Sequence, residues 1–499
     1  MKDLACKVGY VFQDPESMFA TLSVEDEIAF GPENLLFEKE EIRMSVEELL
    51  DLTGIEEYRH NLVWNLSGGQ IQKLGLASVL AMKPRLIILD EPTANLDPIA
   101  TRQVHELILR LRDEGITILL VTRELDDFIS EAEQILVLHR GCIVSSGEPY
   151  TLLNEQGNEI ESLGIWLPET VEIGLGLIRK GYSLDRIPIT IEETLEMLFS
   201  LGILSEGSIL EAENKTYRTH EDPPLIIGED IHFSYGNDQY ALKGISLNIF
   251  KGEMLAIVGR NGAGKSTLAK LLIGLNKCRQ GSLVLFGKKS ADWKVPDLAN
   301  HISLVFQNPE HQFLTDTVAD EIDYSLQSKG LFDPEKLKEE RNKLLSLLEL
   351  DDCQDVHPFA LSAGNKRRLG VATMLVGDPK VLIVDEPTYG QDREMTETLM
   401  NIMLEIQKRG VSVIMISHDM RLVEEYADRV AVFSEGLKHF DGIPTDLFKE
   451  PEILEKSNLQ QTLLNQMLRK MEAHGITVNG HIPGTRAFLD LLLQKSEGT

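Results

Sequence analysis

Residues 259–267 read Gly-Arg-Asn-Gly-Ala-Gly-Lys-Ser-Thr, between an apolar run at 255–258 and a helical stretch at 267–275. A strand, a Gly-x-x-x-x-Gly-Lys-Ser loop and a helix in that order form a cradle for phosphate. Glycines let the backbone curl, amide N–H groups point inward, and the helix N-terminus favours negative charge. Lys265 is placed to hold the β- and γ-phosphates and Ser266 to ligate Mg²⁺. A merely structural glycine turn would not call for Lys-Ser at that point. The loop occurs once in the chain.

Most of the chain beyond the loop has an earlier twin. Asp90 and Asp385, Ser67 and Ser362, and Asp97 and Asp392 each stand 295 positions apart, and Gln13 and Gln307 stand 294 apart. Self-similarity at a constant offset marks a duplicated unit. The counterpart of Gly259 would fall ahead of Met1. The first copy is therefore expected to lack its N-terminal strands and phosphate loop, and the functional protein is expected to be about 70 residues longer, with the strands ending at Leu89 and Thr122 left with uncovered faces.

The boundaries read as 1–150 for the truncated first copy, 151–224 for a helical appendage and linker, 225–448 for the complete second copy and 449–499 for a second appendage. The polar stretch 211–224, ending in Asp-Pro-Pro, is the expected linker. The appendages match each other: 163–181 and 458–475 both read as an amphipathic helix closed by glycine, and Gly181 and Gly475 are 294 apart. Near-continuous apolar runs at 86–89, 116–122, 255–258, 381–384 and 411–416 suit parallel strands covered on both faces. The fold class is α/β.

Composition narrows the function. The chain has 499 residues, 42% of them hydrophobic, and no apolar run long enough to cross a bilayer. It reads as cytoplasmic, with any membrane role supplied by a partner. A net charge of −31 argues against a nucleic-acid surface, which needs clustered cations to replace phosphate counterions. The four cysteines, Cys6, Cys142, Cys278 and Cys353, are far apart and read as buried thiols.

The run 381–384 ends in Asp385-Glu386. Carboxylates at a buried strand tip are costly unless a cation or a reaction uses them. Asp385 suits the shell of Mg²⁺, and Glu386 suits a base polarising water. The first copy repeats the element as Asp90-Glu91. Ser67-Gly68-Gly69-Gln70 opens a helical stretch at 71–82, with glycines that admit a phosphate to a helix start and a serine that donates to it.

Together, GRNGAGKST, the glutamines of VFQDPE and VFQNPE, LSGGQ, the strands ending in DEPT and the Ser417-His418-Asp419 segment resemble the ATP-binding cassette (ABC) family over nearly the whole chain. The resemblance implies tandem P-loop NTPase domains that bind ATP with Mg²⁺ and hydrolyse it. It adds Tyr235 stacking on adenine, His418 contacting the γ-phosphate, and Gln307 sensing metal and water. Catalysis would then rest on Glu386, His418 and Gln307. ATP would be bound by Tyr235, Gly259, Asn261, Gly262, Gly264, Lys265, Ser266, Thr267, Ser67, Gly68, Gly69 and Gln70, and the metal by Ser266, Gln307 and Asp385.

The family's head-to-tail pairing implies one intact set, in which the second copy's phosphate loop works with Ser67, Gly69 and the loop Asn95-Leu96-Asp97. The other set is degenerate: Ala363 and Asn365 replace Gly and Gln, Gln391 replaces Leu, and Arg123 stands in the histidine's place. More narrowly, VFQNPEHQFLTDTVADEIDYSL resembles the fused ATPase of energy-coupling-factor importers for metal ions or vitamins. Its partners would be integral membrane subunits, a transmembrane coupling component and a substrate-binding component, at the cytoplasmic face of the membrane. A sugar-importer ATPase and a soluble translation or repair ABC protein are the alternatives; the second would carry a basic surface or a long charged helix, and neither is seen.

Overall fold

The computed structural model describes residues 2–94, 96, 98–123, 125–126, 128–212, 222–236, 240–260, 262–387 and 393–497. The motif residues Asn95, Asp97, Asn261, Gln391 and Asp392 lie outside the described residues. The chain divides into two compact units, 1–129 and 130–499.

The first unit is built on three parallel strands, β1 (Val8–Val11), β2 (Leu86–Asp90) and β3 (Thr117–Val121), in that order. Helices Val24–Leu35, Lys39–Thr53, Gly68–Leu80 and Pro98–Asp113 supply the core around them. Successive side chains of a strand point to opposite faces. Val11, Ile87 and Leu89 are wholly buried with Leu74 and Val104, whereas Tyr10, Leu119 and Val121 are 38%, 41% and 46% exposed. The run 116–122 is thus covered on one face only, which corrects the two-sided reading taken from its apolar sequence.

The second unit opens with a hairpin of β4 (Ile135–His139) and β5 (Cys142–Gly147), followed by β6 (Ile209–Glu211). An antiparallel sheet combines β7 (Ile226–Ser234), β8 (Tyr240–Ile249), β10 (Gln280–Leu285) and β11 (Lys288–Lys289). The main sheet adds β9 (Met254–Val258), β12 (Ile302–Val305), β13 (Val381–Asp385), β14 (Ser412–Ile416), β15 (Arg429–Ser434) and β16 (Leu437–Gly442). Its order is β12-β13-β14-β9-β15-β16, all parallel except the last pair. β9 and β14 are buried along their whole length, as their near-continuous apolar sequence requires of strands covered on both faces. β12, β13 and β14 repeat the order of β1, β2 and β3.

The appendages pack on one another. Helices Glu169–Arg179 and Leu463–Ala473 begin 294 positions apart and touch; each also meets the other appendage's second helix, Ile191–Ser200 or Gly484–Glu497. Ile173, Leu177, Leu198, Leu464, Met467 and Phe488 form their shared core, and β17 (Thr477–Asn479) pairs with β6. This exchange of equivalent contacts is the logic of an isologous dimer, built within one chain.

Three expectations change. Residues 169–177 are buried without interruption, so the first appendage helix meets solvent only at its C-terminal end. Glu211 ends β6 and is not linker. The cysteines are not buried: Cys142 is exposed and the other three are half-buried.

Candidate active site

β9 delivers the phosphate loop from the middle of the main sheet, and helix Lys265–Leu272 leaves it. The ends of the loop admit only glycine. Gly259 has φ +141° and a Cβ there would lie 1.9 Å from the Phe433 carbonyl oxygen; Gly264 has φ +103° and a Cβ would lie 2.6 Å from that of Ala241. Lys265 is buried, and its ammonium donates to the carbonyls of Gly259 and Arg260. Burial pulls its pKa below the usual lysine range, while Glu386 and Asp385 oppose that shift. Ser266 Oγ donates to Asp385 Oδ2 at 3.3 Å. The exposed Tyr235 ring lies beside the start of the helix, its hydroxyl 3.2 Å from Thr267 Oγ1.

The parallel register of β13 with β14 brings the acids to the same sheet end. Burial raises the Asp385 carboxyl, and the neighbouring Glu386 raises it further. Glu386 has φ +48°, uncommon for a residue with a side chain, and its N–H donates to the Ile416 carbonyl at 2.8 Å. That conformation presents its carboxylate to His418, whose Nδ1 lies 2.9 Å from Oε2. The hydrogen bond raises the histidine's pKa against the pull of desolvation. The structure therefore brings together Lys265, Ser266, Asp385, Glu386 and His418. Gln307 stands exposed two residues beyond β12, with no hydrogen bond to this group among the described residues.

Arg367 escaped the sequence reading. Buried in helix Ala363–Leu375, it donates to the Phe306 carbonyl at 3.2 Å and, more weakly, to that of Asp385 at 3.4 Å. It links the strand end before Gln307 to the acid strand, and burial lowers its pKa to about 10. An arginine amid the apolar positions of a helix was the only sequence signal.

The first copy shapes the same elements differently. Glu91 repeats the backbone of Glu386, with φ +47° and its N–H on the Val121 carbonyl at 2.8 Å. Its carboxylate, however, accepts from Arg123 Nε at 2.7 Å, and Asp90 accepts from the Tyr10 hydroxyl at 2.9 Å. A guanidinium keeps its proton and only donates, so Arg123 cannot accept a hydrogen bond as a neutral imidazole can. At the signature helices, Gln70 Oε1 accepts from the Ser67 N–H at 2.8 Å, while Asn365 bonds to Cys353 and Arg368 instead. A Cβ at Gly68 would meet only Leu96 at 3.6 Å among the described residues.

The ABC transporter family model matches residues 1–94 and 242–389. A putative ABC transporter ATP-binding protein of Methanosarcina mazei is 35% identical over 488 residues, spanning 96% of this chain and 82% of that protein. The chain belongs to the ABC transporter ATP-binding proteins. It is an ATPase of that family, and the two matched regions fall within the two copies found by offset. The putative HMP/thiamine import ATP-binding protein YkoD of Bacillus subtilis is 36% identical over 469 residues, 93% of this chain and 81% of that protein. Among solved structures, cbiO1 from Clostridium perfringens, part of the ABC transporter complex cbiONQ, aligns with 32% identity and a TM-score of 0.44, over 50% of this chain and all of that one. No helix among the described residues is long and apolar enough to cross a membrane.

Proposed function

We propose that this ABC ATPase energises an importer of the energy-coupling-factor type, taking up a metal ion or vitamin, and that it turns over ATP at one site. The observation that carries the single-site reading is the contrast between the two acid pairs. Asp385 and Glu386 face Ser266, Lys265 and His418, whereas Asp90 and Glu91 are engaged by Tyr10 and Arg123. The importer class rests on the segment 305–326 and on the likeness to a thiamine-type import ATPase.

In this reading Lys265 anchors the β- and γ-phosphates, Ser266, Asp385 and Gln307 hold Mg²⁺, Glu386 polarises the attacking water, and His418 contacts the γ-phosphate. Tyr235 stacks on adenine. The hydroxyl and carboxylate oxygens of Ser266 and Asp385 fit a hard, oxygen-seeking cation, and Mg²⁺ when bound neutralises charge developing on the phosphates. Ser67, Gly68, Gly69 and Gln70 serve the same nucleotide. Residues 1–150 and 225–448 act as the ATPase domains, with 151–224 and 449–499 as appendages. The partners are a transmembrane coupling component and a substrate-binding component, and the chain works peripherally at the cytoplasmic face of the membrane.

The test is phosphate release by Lys265→Ala and Glu386→Gln. Each is expected to lower turnover by about a hundredfold or more, with ATP retained by the second variant. Turnover near wild type in either would refute the assignment.

A further inference from the structure

Glu172 lies on the first appendage helix, far in sequence from the ATP site, yet it is buried against the second ATPase domain. Its carboxylate accepts from Arg393 Nη1 at 2.6 Å and Nη2 at 3.4 Å, and from Arg421 Nη2 at 3.1 Å. Trp166 spreads its ring beside both guanidinium groups, 5.8 and 5.2 Å from ring centre to Cζ. The Arg393 N–H donates to the Gly164 carbonyl at 3.1 Å. Glu169 completes the junction by accepting from the Leu464 N–H and the Thr485 hydroxyl of the other appendage.

The two arginines are not arbitrary points on the domain. Arg393 opens helix Arg393–Lys408, directly after the segment that bears Asp392. Arg421 stands three residues beyond His418, in the first turn of helix Met420–Tyr426. From Glu172 a continuous chain of contacts runs to the acid. Arg421 N–H donates to Asp419 Oδ1 at 2.9 Å, Asp419 N–H donates to Ser417 Oγ at 3.0 Å, and His418 between them meets Glu386 at 2.9 Å. The cavity enclosed by Trp166, Glu172, Arg393 and Arg421 is about 40 Å³, room for a water or two and no ligand.

The cluster is also one-sided. The positions 295 earlier than Arg393 and Arg421 are Pro98 and Asp126, and the position 294 later than Glu172 is Gln466. The acid comes from the first appendage and both cations from the copy with the phosphate loop; none of the counterpart positions carries a matching acid or cation. Packing alone would be expected to survive in both copies, as the paired helices do.

We infer that Glu172 is a positioning residue for ATP hydrolysis, fixing the His418 segment and the start of helix Arg393–Lys408 relative to each other through Arg421 and Arg393. The inference rests on the proposed roles of Glu386 and His418 at the ATP site. It makes the appendage a brace that keeps the reacting groups in register, because displacements of about 1 Å at a reacting centre cost rate steeply.

The test uses the full chain, with kcat and KM for MgATP measured for Glu172→Gln, which keeps the shape and removes the charge. The expected result is a fall in kcat of about tenfold or more, with KM changed less than twofold and the folded state retained at the assay temperature by circular dichroism. Arg421→Lys keeps the charge but loses the planar fork, and it is expected to lose rate in the same way, so the idea stays testable if Glu172→Gln does not fold. Glu192→Gln removes the Glu192–Lys470 pair between the appendages without touching either arginine, and should leave kcat unchanged. A kcat within twofold of wild type in Glu172→Gln or Arg421→Lys, or an equal loss in Glu192→Gln, overturns the inference. Glu386→Gln run in parallel separates the two claims: if wild-type turnover does not depend on Glu386, the site reading fails and the brace with it.

Discussion

Arg429→Met should destabilise the strand that carries the phosphate loop, by an amount that grows with pH. Arg429 begins β15 opposite Leu255 of β9. It donates to Asp441 at 2.6 and 2.9 Å, to the Asn248 carbonyl at 2.9 Å and to Glu253 at 3.4 Å. Asp441 keeps Lys438 as a partner, while Glu253, 1% exposed, loses its cation and keeps the neutral Phe250 N–H. Burial already pushes the Glu253 carboxyl up to about 7 against the pull of Arg429. A carboxyl whose folded pKa is raised contributes stability that is full below its unfolded value and lost as pH rises through the folded one. Without Arg429 the folded value climbs further, so above about pH 7 the variant must hold a proton that wild type releases.

The destabilisation relative to wild type should therefore grow by about 1.4 kcal/mol per pH unit above 7, towards the ~3–5 kcal/mol typical of a broken buried pair. Because a two-unit chain does not unfold in one step, the readout is the amide-exchange opening free energy of β9 and β15 at pH 6.5 and 8.5, corrected for intrinsic exchange. Arg429→Met/Glu253→Gln should lose the pH dependence. A pH-independent cost in the single variant, or equal behaviour of single and double, would refute the reasoning.

Ser67→Ala should lower turnover by about a hundredfold, the usual loss of a donor to developing charge, while Ser362→Ala should leave it near wild type. Ser362 accepts from the Asn365 N–H at 3.3 Å, a helix cap whose loss costs about 1 kcal/mol of stability; equal losses of activity would contradict the single-site proposal. Gly259→Ala should abolish nucleotide binding, because its methyl would meet the Phe433 carbonyl on β15 and neither strand can yield without breaking the sheet. Isothermal titration with ATP checks it, and wild-type affinity would show that the loop conformation is not needed.

By itself the sequence determined the tandem α/β plan, the buried strands of the second copy, the phosphate loop and the acid pairs. Each is written in a few contiguous residues whose local chemistry has little freedom: glycine where φ must be positive, apolar runs where both faces are covered, carboxylates at a strand tip. The constant offset added the duplication. What only the tertiary structure decided are pairings between elements remote in sequence. Arg123 on Glu91, Arg367 beneath the acid strand and Glu172 on Arg393 and Arg421 leave no periodic mark, because a single charge reads as a solvated side chain until its partner is found. Burial of residues 169–177 went unread for a related reason. An apolar pattern says that a face can be covered, and only the packed neighbours say whether it is.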